Sequence, residues 1–304
     1  MFYDRKLTIF GLSSLSLTDN EKYLLKNSNN IFGIILFARN VANKAQLKSL
    51  IQEIRAYKPN LNILIDEEGG RVTRLSNIYP QSLTAAEELG DLYLKDPLKA
   101  KAKIVSTYKI MANRLTELGI NIICAPVADL AHKNTHAVIG NRAFSNDKHV
   151  VIECCKIAAD TLLKHNVTPI IKHIPGHGRA NCDSHLELPI ITDDLHNLAQ
   201  NDFAVFKALN KYPLAMTAHI IYNSLDSEMP ITLSKKAMAY VRNIIGFKGK
   251  IMTDDINMHA LKQFSLAKII KLALTAGCDY ILHCNGNYQE MAEIDELLNM
   301  FKYE

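Results

Sequence analysis

The sequence lacks several signals that would assign it to common functional classes. Its six cysteines include no Cys-x-x-Cys pair, and most lie in apolar runs, which predicts free thiols in a reduced compartment. No apolar run approaches the ~20 residues that a membrane-spanning helix needs. The net charge is only +4, without a basic cluster interleaved with aromatic residues. We therefore expect a cytoplasmic protein that binds neither nucleic acid nor a membrane.

A secretion signal is also poorly supported. Arg5 and Lys6 precede an apolar stretch at residues 7–17, but no small-residue cleavage site follows it. Thr18 and Glu21 have the spacing of a capping box, which opens a helix. The apolar stretch is therefore interpreted as a first strand and its turn.

What the sequence does contain is a repeating alternation of short apolar runs and amphipathic segments. In a segment such as 97–118, apolar residues recur with helical spacing, Asp96 and Pro97 favour a helix start, and Gly119 favours its end. The apolar runs lie at 7–12, 32–37, 62–66, 120–127, 169–174, 214–220, 250–254 and 278–284. Eight strands alternating with helices predict an α/β protein with a parallel sheet, closed as a (β/α)₈ TIM-like barrel.

One domain spanning residues 1–304 is the simplest organisation, because no linker or low-complexity tract interrupts the alternation. A doubly wound sheet is the alternative, but the Gly-x-Gly-x-x-Gly motif expected after a first strand is absent. In a barrel the active site lies at the carboxyl ends of the strands. Catalytic residues are therefore sought directly after each apolar run.

The third apolar run is followed by a cluster of acids and arginines, Asp66-Glu-Glu-Gly-Gly-Arg-Val-Thr-Arg74. Carboxylates accept hydrogen bonds from adjacent hydroxyls and guanidinium groups donate them in a fixed fork, so the cluster suits a polyhydroxylated ligand. The alternative is structural: the acids cap the next helix and the arginines neutralise them.

The end of the fifth run and the stretch after it contain an unusual density of histidines. Lys172, His173 and His177 lie in a glycine-containing stretch, and Asp183 and His185 follow shortly after it. A single histidine is usually structural, but this grouping favours contact with a substrate.

Two further segments carry candidate groups. Asp254 ends the seventh run and Asp255 follows it. One of these acids is expected to cap the following helix and the other to face the barrel mouth, and the alternative is that they serve only as caps. Arg142 lies beyond the fourth run and is a candidate ligand contact, although an isolated arginine is more often structural.

These motifs resemble glycoside hydrolase family 3, specifically its single-domain N-acetyl-β-glucosaminidases of cell-wall recycling. The resemblance covers nearly the whole chain, in order. Its motifs lie at residues 33–40, 65–72, 125–129, 139–144, 172–178, 183–185, 218–222 and 253–258. The chain shows no counterpart of the C-terminal domains of the large β-glucosidases in that family, which favours the N-acetylglucosaminidase branch.

The resemblance implies a role for each matching position. Asp254 corresponds to the nucleophile, and His185 to the acid/base with Asp183 as its partner. The implied substrate-binding residues are Asp66, Arg74, Arg142, Lys172 and His173. Neither a cofactor nor a metal is implied.

The implied activity is removal of a terminal N-acetylglucosamine, with retention of configuration, from muropeptides of the N-acetylglucosaminyl-1,6-anhydro-N-acetylmuramic acid type. The partner is then a small carbohydrate substrate, and we expect a monomer. The sequence departs from the family at Glu67, where glutamine is more common, and at Arg179, where an acid is more common. Because Arg179 lies in the segment that bears His185, it is expected to affect that segment's motion or the leaving-group preference.

Three alternatives remain open at this stage. A neutral histidine repels an incoming phosphate less than a glutamate would, which allows phosphorolysis on the same site. His173, His177, Asp183 and His185 are also potential zinc ligands for a metal-dependent hydrolase. The third alternative is a sugar-binding barrel that has lost turnover.

Overall fold

A closed barrel of parallel strands forms the centre of the protein. The computed structural model describes residues 7–133, 135–180, 182–183 and 187–301. Within these ranges the strands are β1 (Thr8–Gly11), β2 (Ile31–Leu36), β3 (Asn62–Ile65), β4 (Ile122–Ile123), β5 (Thr168–Ile174), β6 (Ile190–Ile191), β7 (Leu214–Thr217), β8 (Ile221–Tyr222), β9 (Lys250–Asp255) and β10 (Tyr280–His283). The barrel order is β1-β10-β9-β7-β5-β4-β3-β2, and β6 pairs with β8 outside it. The predicted (β/α)₈ barrel is confirmed.

Helices follow the barrel strands and cover the outside of the barrel. They are α1 (Asp19–Asn27), α2 (Lys44–Tyr57), α3 (Ala86–Lys95), α4 (Pro97–Leu118), α5 (Lys148–Lys164), α6 (Leu195–Gln200), α7 (Asp202–Ala208), α8 (Lys235–Tyr240), α9 (Leu266–Ala276) and α10 (Tyr288–Phe301). A π-helical turn, Val241–Ile245, continues α8. Across the described ranges, none of the helices has both the length and the apolar character needed to cross a membrane.

The helix ends have the capping interactions that the sequence predicts. The Thr18 side chain accepts a hydrogen bond from the Glu21 amide, and the Glu21 carboxylate accepts one from the Thr18 amide at 2.7 Å. The Asp96 side chain caps α4 by accepting the Lys99 amide, and Gly119 ends that helix with a left-handed φ of 86°. These caps satisfy backbone groups that the helix itself leaves unpaired.

Alternating side chains of the barrel strands divide the apolar core into two parts. One set packs between the barrel and its helices, and the other fills the barrel interior. The interior set is Ile9, Ile35, Leu64, Ile122, Cys124, Ile170, Leu214, Met216, Met252 and Leu282. Its upper members, including Met216 and Leu282, form the apolar floor of a cavity at the carboxyl ends of the strands.

The fourth strand is shorter than the sequence predicts. An apolar run at 120–127 indicated a long strand, whereas β4 contains only Ile122 and Ile123. Pro126 has no amide hydrogen to donate to a sheet ladder, which explains the interruption. Beyond it, Val127 forms only an isolated bridge with Lys172. The apolar run therefore predicted burial correctly but overestimated the length of the strand.

A close backbone approach at Gly90 in α3 holds the segment that carries Arg142. A Cβ atom at Gly90 would lie 1.7 Å from the carbonyl oxygen of Phe144. Replacing a helical glycine with alanine normally stabilises the helix by roughly 0.5–1 kcal/mol, but here the methyl group has to displace the Phe144 backbone.

We predict that Gly90→Ala lowers the free energy of unfolding by about 1–3 kcal/mol, measured by chemical denaturation. Ser106→Ala, on the exposed face of α4, is the control and should change it by no more than about 0.5 kcal/mol. A Gly90→Ala protein as stable as the wild type would contradict this packing.

Candidate active site

A cavity opens at the carboxyl ends of the barrel strands, where barrel enzymes place their active sites. Its volume is about 190 Å³. The polar residues that line it are Asp66, Arg74, Arg142, Lys172, His173, His177, Asp254 and Asp255, and Phe37 and Cys284 also contribute. Loops after β2, β3, β5, β9 and β10 thus meet at one place, together with the segment that follows β4.

Five charged side chains alternate in sign at one wall of this cavity: Glu68 lies buried behind the wall, and the other four line it. The Lys172 ammonium lies 2.6 Å from Asp66 Oδ1 and 2.5 Å from Glu68 Oε1. Arg74 donates to the other oxygen of Asp66 at 2.6 Å, and Arg142 donates two hydrogen bonds to Glu68, both 2.8 Å long. We call this set of contacting residues the charge chain; in the order of their contacts they are Arg74, Asp66, Lys172, Glu68 and Arg142.

Asp66, Glu68 and Lys172 hold one another in their ionised forms. Burial alone would raise the pKa values of Asp66 and Glu68, but the positive charge of Lys172 and of the arginines lowers them below their usual range. Burial would likewise lower the pKa of Lys172, and the two carboxylates raise it instead. The wall is therefore a preorganised array of charged donors and acceptors, which suits the hydroxyl groups of a sugar.

Two neighbouring residues, Lys172 and His173, both face the cavity despite the alternation expected of a strand. The register of β5 against β7 shifts between Lys172 and Ile174, and such a bulge redirects side chains. His173 Nδ1 lies 2.7 Å from Asp129, a carboxylate with no exposed surface. Asp129 also accepts the His177 amide at 2.6 Å. Asp129 therefore orients the His173 ring through its Nδ1 atom.

Burial and hydrogen bonding shift the pKa values of His177 and Asp129. Burial would raise the pKa of Asp129, but His173 and the His177 amide lower it to about 2. Burial and, to a smaller extent, the adjacent His173 ring lower the pKa of His177 to about 4. His177 is therefore neutral at physiological pH, beside an ionised Asp129.

The two acids at the end of β9 have different surroundings. Asp255 Oδ1 accepts the amides of Asn257 at 3.2 Å and Cys284 at 3.1 Å, and burial raises the pKa of this carboxyl. Asp255 thereby joins the turn after β9 to the end of β10. Asp254 accepts the Asp255 amide at 2.8 Å and shares the cavity with the charge chain. The mouth position expected for one acid is found at Asp254, whereas the expected helix cap is not: Ser265 caps α9, and Asp255 stabilises the turn after β9 instead.

A buried histidine supports the turn that bears Asp254. His219 has no exposed surface, and its ring contacts the Asp255 carbonyl at 3.1 Å and the Thr232 hydroxyl at 2.8 Å. Burial lowers the pKa of His219, which favours its neutral form. The motif at 218–222 thus contributes by holding the backbone next to Asp254.

Most of the residues predicted from the sequence meet in this cavity. It brings together Asp66, Arg74, Arg142, Lys172, His173 and Asp254. Asp183 is partly exposed in the segment after β5 and does not line the cavity as described, and His185 lies outside the described residues. Their catalytic roles therefore remain predictions.

The sequence reasoning missed Glu68 and Asp129 as members of the site. The position of Glu68, two residues after Asp66 in an extended segment, was the available signal, since such residues share a face. The neighbouring Glu67 instead accepts the Thr73 hydroxyl and the amides of Arg74 and Leu75, so it shapes the loop. Within the described ranges, no group of three or more His, Cys, Asp or Glu side chains is arranged to hold a metal ion.

Comparison with known proteins places this geometry in a family. The model of the glycosyl hydrolase family 3 N-terminal domain matches residues 4–303. The β-hexosaminidase of Bordetella avium is 36% identical over 274 residues, which cover 88% of this chain and 77% of that protein. The β-hexosaminidase of Neisseria meningitidis serogroup C is 35% identical over 287 residues, covering 92% and 78%. The chain therefore belongs to glycoside hydrolase family 3.

Solved structures agree with this assignment. NagZ from Neisseria gonorrhoeae in complex with N-trifluoroacetyl-D-glucosamine superimposes with a TM-score of 0.88 at 33% identity, covering 96% of this chain and 85% of that one. A family 3 β-N-acetylglucosaminidase from a Paenibacillus species gives 0.89 at 28% identity, covering 96% and 56%. The fold, the family and the general class, a glycoside hydrolase, are thus shown.

The charge chain predicts a specific pH dependence of stability. Because Asp66 and Glu68 have lowered pKa values, their stabilising contribution is present above their ordinary pKa and is lost as the pH falls through the lowered one. Lys172→Met leaves these buried charges without their shared cation. We expect the free energy of unfolding to fall by about 3–5 kcal/mol at pH 7. The difference in unfolding free energy between wild type and Lys172→Met should become smaller towards pH 4, because Asp66 and Glu68 of the variant become protonated there.

Denaturant titrations of both proteins between pH 4 and pH 7 measure this effect. Lys250→Met is the control, because Lys250 pairs with Asp279 while half-exposed, and its loss should not exceed about 1 kcal/mol. A pH-independent difference between wild type and Lys172→Met would count against the assigned charges.

Proposed function

We propose that this protein is a retaining exo-β-N-acetylglucosaminidase that removes terminal N-acetylglucosamine from muropeptides. The observation that carries the proposal is the shared cavity of Asp254 and the charge chain, which places a carboxylate beside a wall suited to sugar hydroxyls. The family and the relatives named β-hexosaminidase support the same reaction. The muropeptide substrate is supported by the resemblance of the motifs to enzymes of cell-wall recycling.

The charge chain provides the binding half of the mechanism. Asp66, the carboxylate of the chain that lines the cavity, accepts hydrogen bonds from the sugar hydroxyls, and the arginines and Lys172 donate to the ring substituents. Because these groups already pair with one another, little rearrangement accompanies binding. The sugar is then held with its anomeric carbon towards Asp254.

Asp254 and His185 provide the chemical half. The Asp254 carboxylate attacks the anomeric carbon, forming a glycosyl ester while the bond to the leaving-group oxygen breaks, and His185 donates a proton to that oxygen. His185 then takes a proton from water, the water oxygen attacks the anomeric carbon, and the ester bond to Asp254 breaks. Two inversions give net retention. Asp183 stabilises the protonated imidazole of His185.

The nucleophile assignment is tested with a chromogenic aryl N-acetyl-β-glucosaminide. We predict that the wild type releases the phenol and that Asp254→Ala loses on the order of 10⁴-fold in kcat/KM. Asp160→Ala, on α5 outside the barrel, should retain the wild-type rate. Substantial turnover by folded Asp254→Ala would refute the assignment.

The same reaction, run in phosphate buffer, separates hydrolysis from phosphorolysis. Free N-acetylglucosamine as the product at all phosphate concentrations supports the proposal. A rate that depends on phosphate, with a sugar phosphate as the product, would replace it.

The acid role of His185 is tested by varying the leaving group. For His185→Ala we predict a loss of roughly 10²–10⁴-fold with alkyl or poorly acidic phenol leaving groups, because these need a proton. A nitrophenol leaving group needs little protonation, so the rate with a nitrophenyl substrate should fall least. Initial rates across a series of phenols measure the trend, and equal losses across the series would exclude the acid role.

A further inference from the structure

Two arginines connect the loop after β3 with the segment after β4, each in the opposite direction. Arg142 belongs to the segment and donates to the buried carboxylate of Glu68 in the loop. Arg71 belongs to the loop and donates to residues 137–141 of the segment. The two side chains therefore join the same pair of segments twice.

Arg71 follows a sharp turn of the loop. Gly69 and Gly70 both have left-handed φ values, 84° and 56°, which glycine adopts without strain. The Glu68 amide donates to the Val72 carbonyl at 2.9 Å, and the Val72 amide donates to the Gly69 carbonyl at 3.2 Å. Val72 lines the cavity, whereas Arg71 is exposed next to it. The turn thus fixes the direction in which Arg71 leaves the loop.

The Arg71 guanidinium holds the backbone of the segment after β4. Its Nη2 donates to three consecutive carbonyl oxygens, at 2.6 Å to Ala137, 2.8 Å to Val138 and 3.2 Å to Ile139. Its Nε donates to Asn141 Oδ1 at 2.9 Å. A planar guanidinium has several donors in a fixed arrangement, which suits such a group of acceptors. Arg71 therefore fixes the path of this part of the segment.

The same part of the segment forms one side of the cavity. Val138 and Ile139 line the cavity beside Arg142. The Val138 carbonyl accepts hydrogen bonds from both arginines, at 2.8 Å from Arg71 and at 2.9 Å from Arg142. The Ile139 carbonyl also accepts the Arg142 amide at 2.9 Å. A shift of these two carbonyl groups therefore moves the backbone and the side chain of Arg142 together.

The two arginines differ in burial and in the charge of their partners. The Arg142 side chain is only 12% exposed and pairs with the Glu68 carboxylate. Arg71 is exposed, and its acceptors among the residues that the structure describes are all uncharged. Replacement of an exposed side chain usually changes global stability little. Loss of Arg71 should therefore alter the cavity wall while the protein stays folded.

We propose that Arg71 is a positioning residue for sugar binding, which acts by holding Arg142 and the wall formed by Val138 and Ile139. The inference rests on the function proposed above, because that function assigns Arg142 to the substrate. Displacing a substrate-positioning group by about 1 Å can lower a rate on the order of 10²-fold. Arg71 thus affects turnover although it does not itself line the cavity.

The test is a double-mutant cycle measured with an aryl N-acetyl-β-glucosaminide. We expect Arg71→Met to lower kcat/KM by about tenfold, and Arg142→Lys, which keeps a charge beside Glu68, by at least as much. In the Arg142→Lys background, Arg71→Met should lower kcat/KM by less than about threefold, because residues of one hydrogen-bond network do not act additively. Equal losses in both backgrounds, or no loss in either, would overturn the role of Arg71.

The leaving group provides a second readout. Because Arg71 acts on the bound sugar and not on the acid, its replacement should lower kcat/KM equally for a nitrophenol and for a poorly acidic phenol. A loss confined to the poorly acidic phenol would assign the effect to proton donation and overturn the inference. If Arg71→Met folds poorly, Asn141→Ala removes only the Nε acceptor, and its smaller loss should likewise disappear in the Arg142→Lys background.

Arg55→Met is the matched control. Arg55 Nη2 donates to the Gly119 carbonyl at 2.7 Å, so this arginine also holds the backbone of a neighbouring segment. Gly119 lies just before β4, at the opposite end of the barrel from the cavity. Replacing Arg55 should change kcat/KM by less than about twofold. A loss as large as that of Arg71→Met would show that any such contact affects turnover, and it would overturn the positioning role.

The outcomes also separate this inference from the proposed function. An inactive wild type, or an active Asp254→Ala protein, overturns the proposed function and this inference with it. A wild type whose turnover is lost in Asp254→Ala, together with additive losses in the Arg71 and Arg142 cycle, overturns only the role of Arg71.

Discussion

The contact of Lys172 with Asp66 and Glu68 is the interaction on which the cavity depends. Two carboxylates from the loop after β3 lie within 2.6 Å of one ammonium group from β5, and Arg142 from beyond β4 completes the arrangement. Without that cation the two carboxylates would repel each other, and no interaction would compensate for the water that they lose on burial. Three segments distant in sequence therefore have to meet. The wall that they build is already charged and ordered before a sugar arrives.

Most of the fold could be predicted from the sequence because its signals are periodic and local. Apolar runs separated by capped helices give a covered parallel sheet, and the caps at Thr18 and Asp96 are observed. The short pair β6 and β8 was not predicted, since two-residue strands leave no periodic pattern. The length of β4 was overestimated because the apolar character of 120–127 reports burial, whereas Pro126 determines where regular pairing stops.

The sequence predicted most of the residues that line the site, but not which of them form ion pairs and hydrogen bonds with one another. The search for polar residues at the carboxyl ends of the strands correctly brought Asp66, Lys172 and Asp254 to one cavity, because these ends converge in a barrel. Glu68 and Asp129 could not be assigned in this way, since their roles come from contacts across the barrel. The bulge in β5 also breaks the alternation from which side-chain directions are inferred. The ion pairs of Arg179 could not be predicted either, because its partners Asp193 and Asp202 follow it by 14 and 23 residues.

The central claim is that Asp254 forms a covalent bond to a sugar held by the charge chain. The most direct measurement is mass spectrometry of the protein after incubation with a slow N-acetylglucosaminyl donor that carries fluorine at C5 and a good leaving group. We expect a mass gain of one glycosyl residue, located by peptide mapping on Asp254. A labelled peptide that lacks Asp254, or hydrolysis that gives the inverted sugar without any labelled protein, would contradict it.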